Sequence, residues 1–405
     1  MKRAAVALLM LSFGACRASS DPAAPPPGLA FGIDPAWPER GTYPGVGTGR
    51  LLVTNSRDDT VSLLELEKVG QATLPEVARV QVGLNPVEIE APHHAAISPD
   101  GKHWYTGLSK FAPGTGAGPH GSHGTGTADG QVLKLRTSDN VVVAVARVDR
   151  NPGDIVLSPD GKLVAVSHFD LIRISEAARG VAPDPDARIA LLDGETLERI
   201  EMVRTCAAPH GMTFSTDGGR LYVACYSDEV AIIDLKAGGY PVTRVKVAGN
   251  AGTAFTAQYQ PYAVMLNPVT GDVFVSCLSN GEVRVLSGAT LTMDASRVAL
   301  VGGTPYVGDV GAGGLEVFVP HQGDDRISVI EAATGLVSRV LSLPRTQCTN
   351  VHQVRVLPNN RLAVVCEGNR VTAPGSVLIV DATSGAVQSA TEVGIFPDWV
   401  GVISP

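Results

Sequence analysis

Histidines recur at the start of several short apolar segments of this chain. His93, His94, His210 and His352 each lie one or two positions after such a start. A neutral imidazole is the commonest metal ligand in proteins, and it also acts as a general base near neutral pH. If the fold brings these segments together, their histidines suit metal binding or acid–base chemistry.

The segments that carry these histidines belong to a repeat. Each unit has a start, alternating apolar residues, a turn, a short apolar strand, a polar loop and a further strand. The unit starts are Pro92, Pro152, Pro209, Pro261, Pro305 and Val351. The turn reads Ser-Pro-Asp-Gly at Ser98 and Ser158, and Asp-Gly favours a tight hairpin. The pattern predicts an all-β fold built from repeated four-stranded units.

The repeat resembles the YVTN family of β-propeller repeats. The resemblance is plainest in Leu-Val-Thr-Asn at 52–55 and from Tyr222 to Asp234, and it covers residues 46–405. It implies a seven-bladed β-propeller with four-stranded blades. Six units are complete, whereas an N-terminal piece at 50–82 lacks its first strand. We predict that the C-terminal segment 397–404 supplies that strand and closes the ring, which would leave no free sheet edge.

The first residues have the layout of an export signal. Lys2 and Arg3 precede an apolar run at 4–11 that is too short to span a bilayer. We therefore predict a signal peptide over residues 1–15 and an exported protein.

The end of this signal resembles the lipobox of bacterial lipoproteins, because Phe-Gly-Ala precedes Cys16. The resemblance implies lipidation of Cys16, a flexible tether over 16–45 and a propeller over 46–405. The protein would then be anchored to the outer membrane by lipid alone, on the periplasmic or the surface side. The alternative is ordinary signal cleavage beside an unmodified cysteine.

The charge of the chain argues against nucleic acid as a partner. It has 40 acidic and 32 basic residues, a net charge of -8, and no basic cluster beyond the first three residues. We expect a monomer whose partner is a protein or a small ligand.

One face of the predicted propeller concentrates the polar candidates. The starts of the inner strands and the ends of the second strands share a face. We predict that its ligand-binding residues are His93, His94, Asp154, His168, His210, Tyr262, Tyr306, His321 and His352. A glycine-rich insertion at 111–130, which carries His120 and His123, would act as a mobile cover over this face.

Two classes of function fit this face. The first is a non-enzymatic, membrane-tethered propeller that binds a protein or a small ligand there. A separate, structural interpretation of the strand-start histidines is that their imidazoles bond to neighbouring loops. The alternative is an enzyme at the mouth of the central channel, with copper, iron or zinc bound by His93, His210 and His352. Nitrous oxide reductase, a seven-bladed propeller with a His-lined copper cluster, resembles this arrangement loosely, but its second copper-binding domain has no counterpart here.

A lactonase is the other form of the enzyme alternative. The segment 92–101, Pro-His-His-Ala-Ala-Ile-Ser-Pro-Asp-Gly, looks like one found in the lactonase branch of these propellers. A lactonase needs an activated water and a group that stabilises the oxyanion. His93, His210, Asp154 and Arg355 are the residues of suitable type.

The cysteines repeat one spacing in two units. Cys206 lies 19 residues before Cys225, and Cys348 lies 18 before Cys366. We predict that each pair forms a disulfide in the exported protein and that Cys277 remains a free thiol. The rival interpretation is that these thiols bind metal together with His210 and His352.

Overall fold

The computed structural model of the protein describes residues 49–83, 89–110 and 123–403. These residues form seven four-stranded antiparallel sheets in a ring, so the predicted seven-bladed β-propeller is confirmed. The predicted signal peptide, Cys16 and tether, as well as His120 in the insertion, lie outside the described residues.

The first four blades run in chain order. Blade 1 contains β1 (Arg50–Asn55), β2 (Thr60–Glu65) and β3 (Glu76–Gln81), followed in blade 2 by β4 (Pro92–Ile97), β5 (His103–Leu108), β6 (Asp129–Arg136) and β7 (Val142–Arg150). Blade 3 contains β8 (Pro152–Leu157), β9 (Leu163–His168), β10 (Asp186–Asp193) and β11 (Arg199–Ala207). Blade 4 contains β12 (Pro209–Phe214), β13 (Arg220–Cys225), β14 (Glu229–Asp234) and β15 (Val242–Lys246).

The last three blades and the closing strand follow. Blade 5 contains β16 (Pro261–Leu266), β17 (Val273–Cys277), β18 (Glu282–Leu286) and β19 (Met293–Leu300). Blade 6 contains β20 (Asp309–Val310), β21 (Glu316–His321), β22 (Arg326–Glu331) and β23 (Leu336–Ser342). Blade 7 contains β24 (Val351–Leu357), β25 (Arg361–Cys366), β26 (Pro374–Asp381) and β27 (Val387–Ile395), and β28 (Pro397–Ile403) returns to blade 1.

The ring closes by pairing of the two ends of the described chain. Strand β28 lies antiparallel to β1, with Trp399 opposite Thr54 and Ile403 opposite Arg50. The N-terminal blade therefore obtains its innermost strand from the C-terminus, as predicted.

The core lies between neighbouring blades. The middle strands are buried on both faces, which explains why segments such as Leu221–Cys225 are continuously apolar. The outer strand β7 instead alternates exposed residues with half-buried or buried ones over most of its length, because one of its faces meets solvent. Packing between the blades fixes the directions of the inner strands.

Within the described ranges, two short helices accompany the strands. A 3-10 turn spans Leu66–Lys68. Helix α1 (Leu171–Ala178) lies between β9 and β10, where we had expected only a polar loop, and the Asp170 side chain caps it by accepting a hydrogen bond from the Arg173 amide. Among the described residues, no helix has the length and apolar character needed to cross a membrane.

Both predicted disulfides are present. Cys206 bonds to Cys225 and Cys348 bonds to Cys366, with Cα–Cα separations of 6.0 and 5.2 Å. Cys277 is a buried free thiol, and burial raises its pKa well above the ordinary value. The four bonded cysteines are therefore unavailable as metal ligands, which removes the rival interpretation.

Candidate metal centre

Each blade places one residue near the start of its inner strand at the axis of the propeller. In six blades it is the second residue of the strand, and in blade 6 it is Tyr306, which lies three residues before β20. These seven positions hold His93, Gly153, His210, Tyr262, Tyr306, His352 and Asp398. Neighbouring rings touch around the axis: the centroids of His210 and Tyr262 are 3.7 Å apart, and those of Tyr306 and His352 are 4.9 Å apart. The repeat thus assembles a compact polar cluster at one end of the channel.

A repeated backbone feature turns these side chains inward. The residue before the inner strand has a positive φ at six blades, namely Ala91, Asn151, Ala208, Gln260, Asn350 and Phe396. For a non-glycine residue this left-handed conformation is unfavourable by roughly 1 kcal/mol or more. Because this costly conformation recurs at the same position of six blades, we attribute it to the positioning of the cluster side chains.

His93 and His94 both join the cluster, although adjacent residues on a regular strand point to opposite sides. The pairing of β4 with β5 shifts register between Pro92 and Ala95. This irregularity brings the two imidazoles onto the same side, with their ring centroids 4.3 Å apart.

Hydrogen bonds fix the tautomers of three cluster histidines. His93 Nδ1 lies 2.7 Å from Asp398 Oδ2, and His94 Nδ1 lies 2.8 Å from Asp154 Oδ1. His352 Nδ1 lies 2.6 Å from the Asp398 carbonyl oxygen. Carboxylate and carbonyl oxygens accept hydrogen bonds, so each Nδ1 carries the proton and each Nε2 presents a lone pair. Carboxylate partners on Nδ1 are typical of metal-binding histidines.

Three imidazoles meet with the geometry of a metal site. One ligand atom each from His93, His123 and His210 lies within 4.8 Å of the others. The Nε2 atoms of His93 and His210 are 3.3 Å apart. Two nitrogens bound to one tetrahedral ion at about 2.0–2.1 Å are separated by roughly 3.3 Å. The histidine pair therefore matches the spacing that a tetrahedral ion requires.

His123 reaches this group from the insertion between β5 and β6. Its ring stacks on Phe169, with centroids 5.2 Å apart and an interplanar angle of 11°, and lies 4.0 Å from the His93 ring. The part of the insertion that the structure describes thus contributes a buried residue of the cluster.

Burial favours the neutral form of three cluster histidines, His93, His123 and His352. Loss of solvation lowers the pKa of His93 and His123 well below the ordinary value, and the neighbouring histidines lower them further. Burial also lowers the pKa of His352 to about 4. The neutral imidazole is the form that binds metal, so these residues are ready to bind at neutral pH.

A second group of ligand-type residues adjoins the first. One ligand atom each from His352, Glu367 and Asp398 lies within 4.8 Å of the others, and all three side chains are buried. Glu367 Oε2 accepts hydrogen bonds from Gln322 and Arg370. Burial raises the pKa of Glu367 well above the ordinary range, which Arg370 opposes and Asp398 reinforces.

The cluster differs in membership from the set predicted from sequence. His93, His94, Asp154, His210, Tyr262, Tyr306 and His352 all lie in or against it. The metal trio we expected contained His352, but His123 completes the trio of His93 and His210, while His352 belongs to the second group. Glu367, which directly follows the β25 strand, was not anticipated.

His168 and His321 are held elsewhere, within their own blades. His168 Nδ1 donates to the Arg188 carbonyl on the next strand at 2.5 Å, and His321 Nδ1 lies 3.7 Å from Asp324. These two histidines therefore contact the third strand or its flanking turn, and they do not belong to either ligand-type group.

A cavity of about 800 Å³ occupies the channel on the other side of the cluster. His94 and Asp154 lie at its inner end, and Pro159, Thr216 and Pro268 line it at the opposite, hairpin-turn face. Arg355 and Asp309 also line it, 3.5 Å apart. Of the cluster histidines, His94 is the one that lines this cavity.

Comparisons with known proteins support the fold. No family model and no curated relative match the sequence. Among solved structures, the Pseudomonas aeruginosa periplasmic gluconolactonase PpgL is similar, with 15% identity and a TM-score of 0.59 over 88% of this chain and 99% of that one. Apo AztD from Citrobacter koseri has 11% identity and a TM-score of 0.54 over 88% and 98%.

A third similar structure is the dihydro-heme d1 dehydrogenase NirN in complex with DHE. It has 14% identity and a TM-score of 0.57, over 90% of this chain and 78% of that one. At such identities the shared property is the propeller fold.

Proposed function

We propose that this chain is an exported β-propeller metalloprotein that binds a transition-metal ion through His93, His123 and His210. The observation that carries the proposal is the 3.3 Å separation between the Nε2 atoms of His93 and His210. It is supported by the Asp398 carboxylate on the far nitrogen of His93.

The donor set suits particular metals. Imidazole nitrogen is a good ligand for zinc, copper and iron, and the group contains no thiolate. A bound ion of this kind would supply Lewis acidity or, for copper and iron, redox chemistry. Asp398 orients His93, and stacking on Tyr262 and Phe169 holds His210 and His123 in place.

A titration with Co²⁺, followed by its visible absorption, tests this proposal. The metal-free protein should bind the ion with absorption bands of a nitrogen-ligated site, and His210→Ala should lose them. His168→Ala is the matched control, because His168 is an equally buried histidine held in its own blade. Equal binding by the two variants would contradict the proposal.

The channel favours a second candidate function, hydrolysis of a small lactone. His94 Nδ1 is held by Asp154, and its Nε2 has no hydrogen-bond partner among the described residues. A His–Asp pair at the inner end of a cavity can act as a general base on water, with Arg355 available to stabilise an oxyanion. The likeness to the periplasmic gluconolactonase PpgL supports this candidate.

A lactone-hydrolysis assay separates the two candidates. If His94 is the base, His94→Gln abolishes hydrolysis while Co²⁺ binding at the three histidines persists. Absence of hydrolysis in the wild-type protein would eliminate the second candidate and leave the first intact.

The burial of the cluster histidines bears on the interpretation of this face as a protein-binding scaffold. Buried imidazoles offer little docking surface to a protein, so we favour the metal interpretation over a protein-binding face.

We also propose export and lipid anchoring through Cys16. The two disulfides support export, but they do not bear on the lipid anchor. Cys16→Ser should move the protein from the membrane fraction to the soluble fraction.

A further inference from the structure

We propose that His352, Glu367 and Asp398 bind a second divalent metal ion, beside the three-histidine site. Their ligand atoms lie within 4.8 Å of one another, and their side chains are no more than 1% exposed. This site uses different residues from the first, so it does not depend on the proposed function.

Two buried carboxylate oxygens in this group lack a hydrogen-bond donor. Glu367 Oε1 and Asp398 Oδ1 have no hydrogen-bond partner within the described ranges. The companion oxygens are satisfied, since Glu367 Oε2 accepts from Gln322 and Arg370. Asp398 Oδ2 likewise accepts from Ser56 and faces His93 Nδ1. A buried carboxylate oxygen without a donor is costly, which indicates that a cation or a proton belongs there.

The facing imidazole atom cannot supply that proton in its neutral form. Because His352 Nδ1 donates to the Asp398 carbonyl, its Nε2 is an acceptor. Nε2 lies 3.9 Å from Glu367 Oε1, so two acceptors face each other. Ligand atoms about 2.0–2.2 Å from one ion can be up to roughly 4.2 Å apart, so both can reach the same metal.

The charges of the group favour a divalent ion. Glu367 and Asp398 place two carboxylates in a buried site, and Arg370 is the one cation that contacts them among the described residues. When both carboxylates are ionised and His352 is neutral, one negative charge is left without a partner, and an uncompensated buried charge is strongly destabilising. A cation removes this charge imbalance, as does a proton on Glu367, whose pKa is raised by burial. The mixed nitrogen and oxygen donors suit zinc, manganese or iron.

Asp398 links this site to the first. Its Oδ2 faces Nδ1 of the first-site ligand His93, and its Oδ1 belongs to the second group. Two ions held in this way would be connected through a single carboxylate.

Zinc stoichiometry of the full chain tests the proposal. The metal-free protein is reconstituted with Zn²⁺, desalted and assayed for zinc by mass spectrometry. Wild type should retain two ions per chain, and Glu367→Gln and His210→Ala should each retain one. Glu90→Gln is the matched control and should retain two, because Glu90 is another buried glutamate, 3.5 Å from Lys110 and outside the group.

The outcomes separate this inference from the proposed function. One ion per chain that is lost only in His210→Ala would overturn the second site and leave the first. One ion lost only in Glu367→Gln would support the second site and contradict the first. If Glu367→Gln does not fold, His352→Gln replaces it. An infrared band of a protonated carboxyl that persists in Zn²⁺-treated wild type and disappears in Glu367→Gln would show that a proton fills the site, and would overturn the inference.

Discussion

His93 Nδ1 lies 2.7 Å from Asp398 Oδ2, although the two residues are 305 positions apart in the chain. Asp398 is on β28, the strand that closes the ring against β1. The same strand therefore closes the propeller and orients a cluster histidine. Loss of the closing strand should damage both stability and the candidate site.

Deletion of residues 397–405 tests the role of closure in stability. The deletion removes β28, which pairs with β1 and carries the buried Val400. It therefore exposes the edge of β1 and the apolar surface that packs against Val400. We expect it to remove most of the free energy of unfolding, which is about 5–15 kcal/mol for typical domains. Thermal melting followed by circular dichroism measures this loss. A truncated protein that melts within a few degrees of the parent would contradict ring closure by β28.

The disulfides should contribute measurably to stability. Cys348 and Cys366 close a loop with a sequence separation of 18, and chain entropy predicts about 3 kcal/mol for such a loop. The double variant Cys348→Ser, Cys366→Ser should lose about that free energy of unfolding in urea titrations. Cys277→Ser serves as a control without a covalent link. A double variant no less stable than this control would contradict the estimate.

The buried histidines predict a stability that falls with acidification. The pKa of His352 is lowered from 6.5 to about 4 by burial. Between these pH values His352 is protonated in the unfolded chain but not in the folded protein. The free energy of unfolding therefore decreases as pH falls from 6.5 toward 4. The full effect of this residue is about 3 kcal/mol.

Urea denaturation of metal-free protein at pH 7.5 and pH 5 checks this dependence. His352→Gln should reduce the difference, because Gln does not titrate and its amide can still donate to the Asp398 carbonyl. Because the raised pKa of Glu367 acts in the opposite direction, the comparison between wild type and variant is decisive. A pH dependence that is the same in wild type and His352→Gln would show that His352 is not held neutral by burial.

The channel should be the route by which an ion or a small ligand reaches the cluster. His94 lies at the inner end of the cavity, and Thr213 lines its wall. Thr213→Trp should narrow the channel and slow Zn²⁺ uptake by metal-free protein at least tenfold, with unchanged final stoichiometry. Thr243→Trp is the control on the exposed outer strand of the same blade. Equal uptake rates for the two variants would indicate that the ion reaches the cluster from the face of the strand starts instead of through this channel.

The repeat made most of this architecture predictable. The spacing of the proline starts indicated the blades, and the missing first strand at the N-terminus indicated closure by 397–404. The cysteine spacing indicated both disulfides. These features depend on local patterns and on the symmetry of the ring.

The membership of the cluster was less predictable. The sequence assigned His93, at a strand start, and His168, at a second-strand end, to the same face, yet the His168 side chain contacts the next strand of its own blade. His123 lies in an insertion outside the repeat, and packing on Phe169 determines its position. No sequence pattern encodes such a contact between two loops.

Anomalous X-ray diffraction from crystals grown with Zn²⁺ tests the central claim most directly. Data collected on either side of the zinc absorption edge locate any bound ion without reference to the protein density. We predict an anomalous peak among His93, His123 and His210, within about 2.0–2.1 Å of the Nε2 atoms of His93 and His210. The absence of a peak there, with zinc found only at surface residues, would contradict the account.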